Sequence, residues 1–165
     1  IPEGPALATR AIELAAQNGT TVALSLSDSL CVERHRESFE HAVRNGVKII
    51  VADEDEVNAL LQTDSFEDSL RAIRGYDNLF AMTRSEQGSV IAHGDELVIQ
   101  EATPVAQVVD TTGAGDAYTA GFLYGWANDR DLAECARLGT HCATQVIQQV
   151  GARIEPGTLD RFESS

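Results

Sequence analysis

Apolar side chains along this chain recur with two periods, and the points where the period changes mark the predicted elements. From Ala6 to Gln17, the positions Leu7, Ala11 and Leu14 share one helical face; Pro5 suits its first turn and Asn18-Gly19 its end. Thr21–Leu26 is an apolar run of strand length. A helix is predicted over Val32–Asn45, with Phe39, Ala42 and Val43 inward and Gly46 as its stop. Val47–Ala52 follows as a strand, apolar apart from Lys48, as expected where both faces are covered. Asp53-Glu54-Asp55-Glu56 leads into a helix through Val57, Leu60 and Leu61, and Ser65–Arg74 reads as a second, short helix. Leu79–Thr83 is expected as a third parallel strand, and Ser89–His93 with Glu96–Gln100 as a hairpin turning at Gly94-Asp95. Pro104–Val109 reads as a short extended segment. The next helix covers Ala117–Trp126, and its Ala117, Ala120, Gly121 and Tyr124 are expected to allow close packing on the sheet. A last helix starts at Asp131, with Glu134 as capping pair, and runs through Leu132, Cys135, Gly139, Cys142, Val146 and Val150 to Gly151. Strand–helix alternation with one hairpin predicts an α/β fold, a mostly parallel sheet with helices on both faces.

Charge narrows the partners. Twenty-six Asp and Glu stand against twelve Lys and Arg, a formal net charge of −14 on 165 residues, and Lys48 is the only lysine. That balance argues against nucleic acid or an anionic membrane as partner. The length suits one domain with a sizeable core. With no apolar run of membrane-spanning length and no secretory leader, a cytoplasmic protein is the expectation. Cys31, Cys135 and Cys142 form neither a disulfide framework nor a zinc pattern, and Cys135 and Cys142 are expected to face the core. Cys31 and His35 have the spacing of a metal pair on a helix, but no further ligand lies nearby in the sequence.

Candidate chemistry concentrates in Asp110-Thr111-Thr112-Gly113-Ala114-Gly115-Asp116, which runs directly into the Ala117 helix. A glycine-rich turn before a helix leaves the first backbone N–H groups unpaired, and the helix dipole adds positive potential there. Such a turn suits an anion. Asp116 on the first helical turn would repel that anion, which makes sense if its carboxylate takes a proton from a nucleophile attacking a bound phosphate.

The stretch Asp110 to Leu123 resembles, at every position, the second signature of the ribokinase (PfkB) family of carbohydrate and nucleoside kinases. The resemblance implies that Asp116 is the catalytic base. It implies that the backbone N–H groups of Gly113, Ala114 and Gly115 form the anion hole for the transferred phosphate, with Asp110, Thr111 and Thr112 on the nucleotide side. Asp110 would steady the loop or a cation. Asp53-Glu54-Asp55-Glu56 is similar to the family's Asn-x-x-Glu motif with Asp53 in the Asn position, which implies that Glu56, with Asp53, organises Mg²⁺ through water. The same two residues also read as a helix cap and its capping-box partner, a compatible role. Thr83 and Gly88 match positions near the nucleotide. Thr140 and Ala143, with Gly151-Ala152, match a stretch lining the adenine pocket and holding a monovalent cation such as K⁺.

The resemblance covers nearly all of the chain but only the carboxyl-terminal part of such kinases. Residues 1–165 are therefore expected to be the ATP and anion-hole half of a ribokinase-like domain. The amino-terminal part and the lid, through which a homodimer would form, would lie outside these residues, and the fragment alone is expected to be inactive. The implied substrates are ATP and a nucleoside or sugar. Ser25–Arg36 and Arg137-Leu138-Gly139 resemble bacterial adenosine-kinase-like members more than ribokinases or fructokinases. Three alternatives stay open: a sugar kinase, a dinucleotide-binding turn, in which Tyr118 occupies the third glycine position, and a kinase-like domain that binds nucleotide without turnover.

Overall fold

The computed structural model describes residues 4–158 and 162. Helix α1 (Gly4–Gln17) precedes strand β1 (Val22–Ser25), and α2 (Ser29–Arg34) and α3 (Arg36–Arg44) lead to β2 (Val47–Asp53). Helices α4 (Glu54–Leu61) and α5 (Phe66–Ala72) lead to β3 (Leu79–Thr83), which continues into β4 (Ser89–His93) and β5 (Glu96–Gln100). Two long helices follow, α6 (Ala114–Ala127) and α7 (Leu132–Val146). The five strands form one sheet in the order β1-β2-β3-β4-β5. β1 pairs parallel with β2, Ser25 lying opposite Val51. The links 84–88 and 94–95 are too short for a parallel crossover, so β3, β4 and β5 form an antiparallel meander and the sheet is mixed.

The chain divides into two compact units, residues 1–82 with 92–96, and residues 83–91 with 97–165. In the first, β2 is buried at Val47 and from Ile49 to Ala52, while Lys48 faces solvent. Val32, Val43, Val57, Leu60, Phe66 and Phe80 are buried in the same unit. Asn78, also buried, donates through Nδ2 to the carbonyls of Val43 and Val47 at 2.9 and 2.7 Å, tying the end of α3 to the start of β2. The predicted helix over Val32–Asn45 is interrupted. His35 leaves the helical region at φ −121°, ending α2 and capping α3. α1 contains no buried residue, and Leu7 and Leu14 stand exposed.

In the second unit α6 packs on α7 at backbone distance. A Cβ on Gly121 would stand 2.5 Å from the carbonyl oxygen of Leu138, and one on Gly125 would stand 3.0 Å from Cys135 Sγ. The small residues of α6 therefore serve a helix–helix contact rather than the predicted packing on the sheet. Tyr124 is exposed, and the buried positions are Ala117, Tyr118, Gly121, Phe122 and Gly125. Cys135 and Cys142 are buried as expected, and burial pushes both thiols up, Cys135 to about 11. α7 stops at Val146, short of the predicted Val150, which is 83% exposed. The carbonyl of the capping Ile147 instead accepts the N–H groups of Val109 and Asp110 at 2.8 and 3.4 Å. Pro104–Val109 joins no strand of the sheet, and its end is tied to the cap of α7.

Candidate active site

The Asp110–Asp116 turn is held in place by its own first residue. Asp110 Oδ1 accepts the N–H of Thr112 at 2.9 Å, and Oδ2 accepts the N–H of Gly151 at 3.0 Å. The Gly151 N–H first, then the hydroxyl and the N–H of Thr112, hold the Asp110 carboxyl below the usual carboxylate range. One carboxylate thus joins the start of the turn to the loop after α7. Gly113 then adopts a left-handed conformation, φ +79°, and a Cβ there would lie 2.5 Å from the Cβ of Ala152. Both facts require glycine. Packing of Ala117, Cys142 and Val146, with Ala114, Ile147 and Ile154 against them, seats the first turn of α6 on α7.

With the turn so fixed, α6 begins with Gly113 as its N-cap and no side-chain cap. The N–H of Ala114 bonds to the carbonyl of Thr111 at 3.1 Å, and that of Ala117 to the carbonyl of Gly113 at 2.8 Å. Among the described residues the N–H groups of Gly113, Gly115 and Asp116 have no hydrogen-bond partner. The resemblance implies donors at Gly113, Ala114 and Gly115. The structure engages Ala114 within the turn and leaves Asp116 open in its stead, because a tight turn ahead of a helix uses one of its own amides to close. Thr111, Thr112, Gly115 and Asp116 are exposed, so the turn and its carboxylate are open to solvent. The turn offers an anion two consecutive helix-start N–H groups with a carboxylate on the same turn.

The remaining predicted residues divide between the two units. Thr83, half-buried, ends β3, and Gly88 follows in a turn where the Arg84 N–H donates to the Gly88 carbonyl at 2.8 Å. A Cβ on Gly88 would lie 2.0 Å from the carbonyl oxygen of Gln100, so packing alone demands this glycine. Thr140 is buried on α7, and Ala143 is half-buried one turn on. In the first unit, Asp53 and Glu56 form a complete capping box at the start of α4. Asp53 Oδ1 accepts the Glu56 N–H at 2.8 Å, and Glu56 Oε2 accepts the Asp53 N–H at 2.9 Å. Burial raises the Glu56 carboxyl pKa, the Asp53 N–H opposes the rise, and the charges of Asp53, Asp28 and Asp55 add to it.

No three His, Cys, Asp or Glu side chains among the described residues converge as a metal cage. Asp53 and Glu56 nevertheless suit a water-coordinated dication. Each keeps a second hard oxygen outside the capping box, and the crowded negative charge on Glu56 would be relieved by a cation. Cys31, expected at most as half of a metal pair, is an exposed free thiol. Tyr118 and Ser89 were missed by sequence reading, since their hydrogen bond spans 29 positions and no local pattern announces it. Among the described residues no helix is long and apolar enough to cross a membrane.

The family model of the pfkB family carbohydrate kinases matches residues 4–158. An uncharacterized sugar kinase of Archaeoglobus fulgidus is 37% identical over 122 residues, 73% of this chain and 48% of that protein. The crystal structure of adenosine kinase from Sinorhizobium meliloti matches with a TM-score of 0.91 at 40% identity, covering 96% of this chain and 49% of that one. A probable sugar kinase from Rhizobium etli matches at 0.90 and 39%, covering 95% and 48%. The chain spans about half the length of the relatives it matches. The mixed sheet and its helices are the ribokinase-like fold. With residues 4–158 matched, the chain belongs to the pfkB family of carbohydrate kinases.

Proposed function

We propose that residues 1–165 are the ATP and anion-hole half of a kinase that moves the γ-phosphate of ATP onto a hydroxyl of a nucleoside or sugar, adenosine foremost. The carrying observation is the open turn at the start of α6, with unpaired N–H groups at Gly115 and Asp116 and an outward carboxylate on the same turn. Phosphoryl transfer spreads charge over the equatorial oxygens of the migrating group, so fixed donors stabilise it without reorganising. Gly113, Gly115 and Asp116 supply those donors from the backbone. The Asp116 carboxylate accepts the proton of the attacking hydroxyl. Asp110 holds the loop by its bonds to Thr112 and Gly151. Mg²⁺, held through water by Glu56 and Asp53, would neutralise the phosphates when bound. Thr111, Thr112, Thr83, Gly88, Thr140 and Ala143 are assigned to the nucleotide side on resemblance.

Adenosine is favoured by the likeness to an adenosine kinase at 40% identity. A probable sugar kinase at 39% keeps a sugar acceptor as the second reading. Assays of the full-length protein with ATP·Mg²⁺ against adenosine, ribose and fructose decide between them. Adenosine is expected to turn over fastest; no turnover of adenosine would remove that assignment, and no turnover of any acceptor would remove the kinase. The isolated 165-residue chain is expected to show none.

A further inference from the structure

Tyr118 lies two residues past Asp116, about 200° around the helix, so an outward Asp116 goes with an inward Tyr118. Tyr118 is 2% exposed, and its phenolic O–H donates to Ser89 Oγ at 2.9 Å. Ser89 is 1% exposed, opens β4 and directly follows Gly88. The ring is confined on two further sides. It stacks on Phe122 with centroids 6.2 Å apart and planes 19° apart, and a Cβ on Gly139 would stand 2.9 Å from Tyr118 Cε2. A ring held in this way directs its hydroxyl along one line. The start of β4 is equally fixed, since Gly88 abuts the Gln100 carbonyl. Phenylalanine would fill the same space, so packing gives no reason for the hydroxyl.

We infer that the Tyr118–Ser89 hydrogen bond is a positioning device for phosphoryl transfer. It fixes the rotation of the first turn of α6 about its axis relative to the 83–88 loop, and so aims the Asp116 carboxylate and the open N–H groups. The inference rests on the reading of that turn as the transfer site. A rotation of the turn by a fraction of a residue would move the carboxylate by about 1 Å, a displacement able to cost tens of fold in rate.

The test uses the full-length protein with ATP·Mg²⁺ and adenosine, or with ribose or fructose if the acceptor assays select one of them. Tyr118→Phe is expected to lower kcat about tenfold while KM for ATP stays within about twofold. Ser89→Ala combined with Tyr118→Phe removes both partners and leaves no buried hydroxyl unsatisfied, so thermal stability should recover while kcat does not. A kcat that recovers with stability, or that never falls, makes the bond purely structural and overturns the inference. Asp116→Ala separates the two levels. If that variant keeps its turnover, the reading of the turn fails and the inference with it. If it loses turnover while Tyr118→Phe leaves kcat unchanged, the inference alone fails.

Discussion

Helices α4 and α6 begin in opposite ways. At α4 the chain closes its own helix start: Asp53 and Glu56 satisfy each other's backbone N–H groups, and three acids complement the dipole. At α6 the cap is a glycine with no side chain to offer, and the N–H groups of Gly115 and Asp116 stay open. Both starts carry a carboxylate on the first turn, so charge alone does not distinguish them. What differs is whether the protein uses up its own donors. A closed start stabilises the fold by about 1 kcal/mol, whereas an open one forgoes that stability and leaves a place for an outside anion.

The sharpest way to break this contrast is Asp116→Ala in the full-length protein. We expect kcat to fall by about a thousandfold while nucleotide binding persists; a variant retaining most of its activity would show that α6 carries no base. Gly113→Ala comes next, because the new Cβ would meet Ala152 and the residue would have to hold φ +79°. Turnover should drop about a hundredfold and chemical denaturation should show a loss of about 1–3 kcal/mol. Asp53→Ala removes the α4 cap and should lower stability by about 1 kcal/mol in urea unfolding, the ordinary cost of a lost cap. Glu56→Gln keeps an oxygen able to accept the Asp53 N–H, so the α4 cap should hold; a raised Mg²⁺ requirement in that variant would give Glu56 a function beyond capping.

The smallest effects are in pH. The Asp110 pKa is lowered from its ordinary 3.8, so its contribution to stability is present above 3.8 and is lost as pH falls through the lower folded value. The Glu56 pKa is raised from 4.5, so its contribution is present below 4.5 and is lost as pH rises through the higher folded value. Melting curves across that acid range should therefore shift in opposite directions for Asp110→Asn and Glu56→Gln. Shifts of the same sign would contradict the bonding described for one of them.

Local patterns carried much of this molecule. The hairpin Ser89–His93/Glu96–Gln100, the strand Leu79–Thr83 and the caps at Asp53 and Asp131 were legible because each depends on residues at most a few positions apart. The signature from Asp110 to Leu123 was legible for the same reason. The interruption at His35 and the early end of α7 were not, since apolar periodicity runs through both points. The sequence by itself determined the turn, its glycines and its acid. Only the tertiary structure decided which amides stay open, that Asp110 reaches Gly151 forty-one residues on, and that Tyr118 is fastened to Ser89. Hydrogen bonds between groups distant along the chain depend on how elements pack, and no short-range spacing of residue types encodes that.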